Sequence, residues 1–154
     1  MIAFTLQLAN LDELHEKHER FLQANEQLLD EANEAAGLAA EELVRRYPGF
    51  NPRTGKTQKA TKHKIIRLGS GRLLQIQNDS KIAAILDGGS RPHVIRARKA
   101  KALRFVTRGG VVFRRSVNHP GTRPYKTFYR ATFGAYAVLG QALERGMAKL
   151  ATRF

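Results

Sequence analysis

Near its start the chain alternates: Ile2, Phe4, Leu6 and Leu8 are interleaved with Thr5 and Gln7, the period of a half-buried strand over 2–8. The period then changes. Asn10 stands where a helix cap belongs, and Glu13 lies three residues on, placed to reach back to the cap amide. From there Leu11, Leu14, Phe21, Leu22, Leu28, Leu29, Ala32, Ala35, Ala36, Ala39, Leu43 and Val44 recur at three- and four-residue steps. This predicts a long helix over 10–47, stopped by Pro48 and Gly49, with Arg45 and Arg46 at the negative end of its dipole. Such a helix is about 55 Å long, more than the diameter of a compact domain of this size. Part of its stripe is therefore expected to face another molecule. Leu14, Phe21 and Leu28, one heptad apart, are the candidate subunit contact.

Residues 48–64 are basic and almost devoid of apolar side chains, which predicts a mobile basic loop. A sheet region over 63–117 follows. Short strands are expected at 63–68, 72–77 and 81–86, the first two joined by Gly69-Ser70-Gly71. A hairpin of 103–107 with 111–117 is expected around Arg108-Gly109-Gly110. Pro124 suits the first turn of a second helix over 125–151. Its expected core stripe is Tyr129, Phe133, Tyr136, Gly140, Leu143, Met147, Leu150 and Phe154. Gly134, Gly140 and Gly146 weaken that helix by about 1 kcal/mol each relative to alanine, so a close-packed neighbour is needed to offset them. The whole predicts a single α+β domain over 1–154: long N-terminal helix, mainly antiparallel sheet, C-terminal helix packed on the sheet.

Composition adds charge to this picture. The 154 residues carry 27 Lys+Arg against 13 Asp+Glu. Residues 1–46 hold ten acids and four bases, and residues 47–154 three acids and 23 bases. A basic body of this kind favours a polyanionic or acidic partner, either nucleic acid or a neighbouring acidic subunit. There is no cysteine, which excludes disulfides, a thiol nucleophile and thiolate metal sites. No apolar run reaches bilayer length and no secretory leader is visible, so a soluble, unprocessed protein made inside the cell, with no membrane partner, is expected.

Few residues offer chemistry. Gly55-Lys56-Thr57 invites comparison with a phosphate-binding loop, but five residues separate Gly49 from Gly55 where four are required, and the segment follows a helix. His15 and His18 have a metal-sharing spacing on a helix whose solvated face needs charge anyway. His93 and His119, each beside a proline, are the better acid–base pair, with Asp87 as the conceivable carboxylate. Between Arg91 and Arg115 lie Arg91, Arg96, Arg98, Lys99, Lys101, Arg104, Arg108, Arg114 and Arg115 without one acid. A solvated face normally mixes signs. With Lys56, Lys59 and Lys62 of the preceding loop, these bases are candidates for contact with DNA phosphates or an acidic partner. No aromatic recognition motif accompanies them, so base reading is not expected.

Three stretches in series resemble a family of long-tailed bacteriophage neck or tail-completion proteins, also called head–tail connector or minor tail proteins. The first is Ile82-Ala83-Ala84-Ile85-Leu86-Asp87-Gly88-Gly89-Ser90-Arg91-Pro92-His93-Val94-Ile95, similar to the family's Y-A-x-x-V-E-x-G-T-R-P-H-x-I. The second is Lys101-Ala102-Leu103-Arg104-Phe105 followed by Gly-Gly and Val111-Val112-Phe113. The third is Val117-Asn118-His119-Pro120-Gly121-Thr122-Arg123-Pro124, followed by Phe128 and Ala131. Thr54-Gly55 matches a weaker family T-G, so the likeness covers 54–131, about half the chain. It departs at Ile82, where the family has Tyr, and at Asp87-Gly88-Gly89-Ser90, where the family has Glu-aromatic-Gly-Thr. The resemblance implies a non-enzymatic virion protein, without cofactor or metal, assembled in the host cytoplasm. It implies a closed homo-oligomeric ring around the DNA channel that joins or completes the tail at the head–tail interface, among neighbouring neck and tail proteins. The alternatives are a sequence-independent nucleic-acid-binding protein and, third, a basic ribonuclease-like toxin.

Overall fold

The computed structural model describes residues 10–51 and 54–153; the strand expected over 2–8 and the stripe residue Phe154 lie outside them. Helix α1 (Leu11–Arg46) runs for 36 residues, or about 54 Å. Its start differs from expectation. Asn10 sits at φ 70, and its side chain makes no capping bond, because a capping side chain needs extended backbone. Glu13 instead pairs with Lys17 at 2.8 Å. That hydrogen bond, with the lysine's charge, holds the Glu13 carboxyl below its usual range.

The stretch expected as a loop over 48–64 is largely built into the fold. A single turn of helix, α2 (Lys56–Lys59), leads into strand β1 (Thr61–Leu68), which pairs with β2 (Gly71–Asn78). Polar side chains anchor the turn in place of apolar ones. Thr57 and Gln58 are buried. Asn78 Nδ2 donates to the Thr57 carbonyl at 2.6 Å and to Thr61 Oγ1 at 2.7 Å, while Gln58 Nε2 donates to the Arg45 carbonyl at 3.3 Å. In the hairpin, Thr61/Asn78, His63/Ile76, Ile65/Leu74 and Arg67/Arg72 are cross-strand pairs on the face turned to α1.

Residues 81–86 are not a strand. Helix α3 (Ala83–Gly88) occupies that place, because Ala83 and Ala84 are strong helix formers and an apolar run this short has no period to separate the two states. Strand β3 (His93–Arg96) pairs with β6 (Ser116–His119), and β4 (Leu103–Thr107) with β5 (Gly110–Arg114). The single strand expected at 111–117 is thus divided at Arg115, where the chain changes partners. Among the described residues all pairing is antiparallel, but it forms three two-stranded sheets rather than one.

Helix α4 (Thr127–Arg153) begins two residues later than expected, and Pro124 lies outside it. The Tyr125 and Lys126 amides donate instead to the carbonyls of Leu86 and Asp87 at 3.0 and 3.2 Å. Asp87 Oδ1 accepts from the Phe128 amide at 2.8 Å, placing a carboxylate at the positive end of α4. The α4 stripe is also corrected. Thr127, Ala131, Ala135 and Leu150 are buried, whereas Tyr129, Phe133, Tyr136 and Met147 are exposed.

The core is Ala36, Ala40 and Val44 of α1 against Ala131 and Ala135 of α4, with Leu43, Leu74, Ile76, Phe128 and Leu139 around it. On α1 the buried line runs through Ala40 and Gly37 rather than Ala35 and Ala39. Small residues let the two antiparallel helices approach closely. A Cβ on Gly134 would lie 2.1 Å from Leu43 Cδ1, and one on Gly146 2.0 Å from Leu28 Cδ1. The close neighbour expected for these glycines is therefore α1. Gly140 has open space instead.

Candidate functional site: a basic arm without a core

A small part of the charge division between the two parts of the chain is answered internally. Arg72, with its side chain only 2% exposed, is paired with Glu26 and Asp30 of α1, and Asp30 also holds Arg67. The Arg72 hydrogen bond, joined by Arg67, keeps the Asp30 carboxyl below its usual range, and Asp30 then Glu26 raise Arg72 further. His63 Nδ1 lies 2.8 Å from Glu41 and its Nε2 3.2 Å from Glu34. Burial pushes this imidazole's pKa down, but hydrogen bonds and charge from Glu34 and Glu41 outweigh it, so the net shift is upward.

The bases further along have no such answer. Arg91, Arg96, Arg98, Lys99, Lys101, Arg104, Arg108, Arg114 and Arg115 are all exposed. None forms an ion pair among the described residues. They sit on an arm made of β3–β6 and β4–β5, and between Ala83 and Thr127 no residue is buried. Each two-stranded unit is marginal alone in water. The bases do not share one face. Arg104 lies opposite Phe113 and Arg114 opposite Leu103, consecutive pairs that point to opposite sides of the β4–β5 hairpin. Lys56 and Lys59 stand exposed on α2, and Lys62 on the side of β1 turned away from α1.

A tight joint fastens the arm to the helices. Ser90 and Thr122 exchange backbone hydrogen bonds of 2.8 and 3.0 Å. Gly89 has φ 76, and a Cβ there would lie 2.6 Å from the Thr122 carbonyl oxygen. Gly121 has φ 90, and a Cβ there would lie 2.3 Å from the Ser90 oxygen. Only glycine fits either place. The Gly89 to His93 and His119 to Pro124 segments, separate motifs in the sequence, are thus the two halves of one joint.

His93 and His119 do come together, as a cross-strand pair with ring centroids 5.0 Å apart. Their hydrogen bonds are structural. His93 Nδ1 donates to the Arg91 carbonyl at 2.9 Å, whereas His119 Nδ1 accepts from the Gly121 amide at 3.1 Å. Neutral His119 therefore carries its proton on Nε2, which cannot then ligate a metal alongside His93 Nε2. Asp87 does not complete an acid–base cluster, since its carboxylate is engaged by α4. His15 lies 4.0 Å from Glu19, and no group of three potential metal ligands forms among the described residues.

The candidate subunit contact divides. Leu14 is 62% exposed, and every residue from 11 to 20 is exposed, so the first part of α1 does project from the core. Phe21 is half-buried. Leu28 is committed within the chain, against Gly146. A surface that the pattern reading assigned to the core is the outer face of α4. There the Tyr129 and Phe133 rings pack with centroids 4.8 Å apart and planes tilted by 56°, and Tyr136 and Met147 extend the line. Altogether the chain exposes 12684 Å², against about 7,800 Å² for a compact monomer of this mass.

No protein family, curated protein or solved structure matches the chain. No helix among the described residues is long and apolar enough to cross a membrane.

Proposed function

We propose that this chain is a structural virion protein of a long-tailed phage, one that joins or completes the tail at the head–tail interface as a closed ring around the DNA channel. The observation that carries this reading is the arm: nine exposed cations without ion-pair partners among the described residues, on strands β3 to β6 and the segments that flank and join them, where no residue is buried. Such an arm gains stability only from neighbours, and its charge suits a surface shared between subunits and passing DNA. The serial motifs that resemble the neck family supply the arm and its joint, and the excess exposed area is what a subunit of a larger body needs. The reading includes no catalytic step. Deleting the coding sequence from the phage that carries it tests the proposal: full heads and tails should accumulate unjoined in electron micrographs. Normal virions would refute it.

A second reading, sequence-independent nucleic-acid binding, is favoured by the same cations. Their spread over both sides of the β4–β5 hairpin suits non-specific phosphate contact better than a docked recognition surface.

A further inference from the structure

We infer that His63 is a proton-operated latch between the β1–β2 hairpin and α1: its imidazolium holds both Glu34 and Glu41, and loss of one proton releases Glu34 while Glu41 stays bound. The inference goes beyond the virion reading and does not depend on it. Glu34, Gly37 and Glu41 follow one another at steps of three and four, so they share one side of α1. Gly37 is buried, and a Cβ there would lie 2.3 and 2.4 Å from His63 Cδ2 and Cγ. The ring therefore lies directly on the bare backbone of the helix, between the two carboxylates. In that seat Nδ1 is 2.8 Å from Glu41 Oε1 and Nε2 is 3.2 Å from Glu34 Oε2. A carboxylate only accepts, and a neutral imidazole has a single N–H. Both contacts are hydrogen bonds only while the ring is doubly protonated. In the neutral ring one bare nitrogen faces an anionic oxygen, and that contact must open.

Glu41 is the contact that survives. Its Oε1 also accepts from the His63 backbone amide at 3.0 Å, its Oε2 lies 3.9 Å from Arg45, and its side chain is only 20% exposed. Glu34 is 55% exposed and can turn to water. The remaining ring proton therefore sits on Nδ1. No other charge competes for the ring. Its neighbours on this face of the hairpin are Thr61, Ile65, Leu74 and Ile76, while Lys62 and Lys64 belong to the opposite face. Arg67 and Arg72, further along, are already paired with Asp30 and Glu26. Those arginines keep their charge at any pH the fold survives. Among the described ion pairs between the hairpin and α1, only the His63 pairs thus respond to a proton near neutrality, and the upward shift of the imidazole has the sign that a doubly held ring requires.

Solid-state NMR of the full chain carrying ¹⁵N-labelled histidine reads the protonation of each ring nitrogen whatever the size of the assembly, and the His63→Gln spectrum identifies the His63 signals by difference. The expected result is a doubly protonated ring at about pH 5 and, at about pH 9, a single proton on Nδ1, the reverse of the Nε2–H form that free histidine favours. Glu34→Gln, at an exposed position, supplies the second measurement. Its amide accepts from the imidazolium and donates to the bare Nε2, so both states of the ring are held. The pH of half-titration should fall in this variant, and the loss of stability with rising pH should flatten. The inference is overturned if the neutral ring carries its proton on Nε2, if His63 is already neutral at about pH 5, or if Glu34→Gln leaves both the half-titration pH and the stability slope where they are in the wild type.

Discussion

The three glycines of α4 lie six residues apart in one helix, yet the structure gives each a different environment, so Gly→Ala should give three different results. Alanine in place of an interior helical glycine is worth about 1 kcal/mol from backbone propensity. At Gly140 nothing lies within 4 Å of the new methyl group, so Gly140→Ala should keep the full gain. For a chain of this size that raises Tm by about 2–4 °C. At Gly146 the methyl would meet Leu28 Cδ1, Cδ2 and Cγ at 2.0, 2.8 and 2.9 Å, so the whole isobutyl head must move. Overpacking of that kind costs about 1–3 kcal/mol, leaving Gly146→Ala neutral to about 2 kcal/mol less stable. At Gly134 only one methyl of Leu43 is close, at 2.1 Å, with the next atom at 3.6 Å. A rotamer change relieves it, and the net effect should be near zero. Urea unfolding of the monomer, followed by circular dichroism at low concentration, reads all three. A Gly146→Ala protein stabilised as much as Gly140→Ala would refute the α1–α4 packing on which the core depends.

Other expectations follow from single sites. His63 has a raised pKa, so its contribution is fully present below the ordinary value near 6.5 and is lost as pH rises through the higher folded value. Stability should therefore fall between pH 6 and pH 8, and His63→Gln should flatten that slope; an unchanged slope would sink the assignment. Gly89→Ala should break the joint, given φ 76 and a carbonyl oxygen 2.6 Å away. Amide exchange should then rise across 90–123 while α1 and α4 stay protected, and uniform protection would contradict the joint. Duplex binding should be weak and similar for unrelated sequences, near ~10⁻⁴–10⁻⁶ M at physiological salt. Replacing Arg98 and Lys99 with Gln should make its salt dependence shallower. A preference above about 1 kcal/mol for one sequence would point to base reading, and no binding at low salt would assign the cations to an acidic protein.

The parts of the fold that a linear pattern encodes were legible. Leucine and alanine spacing set α1 to within a residue at either end, and Gly69-Ser70 placed the β1–β2 turn. What failed had causes that sequence period does not carry. Thr57, Gln58 and Asn78 anchor their segment by buried hydrogen bonds, which composition reads as polarity. Ala131 and Ala135 outrank Tyr129, Phe133 and Tyr136 as core because two helices in close contact have room only for small side chains. The stripe was seen, but burial and association both select apolar residues. For the candidate site, the run of bases was legible as a charge surplus. The pairing of Arg67 and Arg72 with α1 acids was not, because it spans 37 to 46 residues of sequence. Nor was the union of Gly89-Ser90 with Gly121-Thr122.

Native mass spectrometry of the purified full chain, freed of nucleic acid by nuclease and high salt, tests the central claim most directly. A ring-forming neck component closes through protein contacts, so one oligomer of fixed stoichiometry should persist without DNA. A monomer that assembles only when duplex is added, in numbers that grow with duplex length, would contradict the ring and leave the chain a DNA-binding protein.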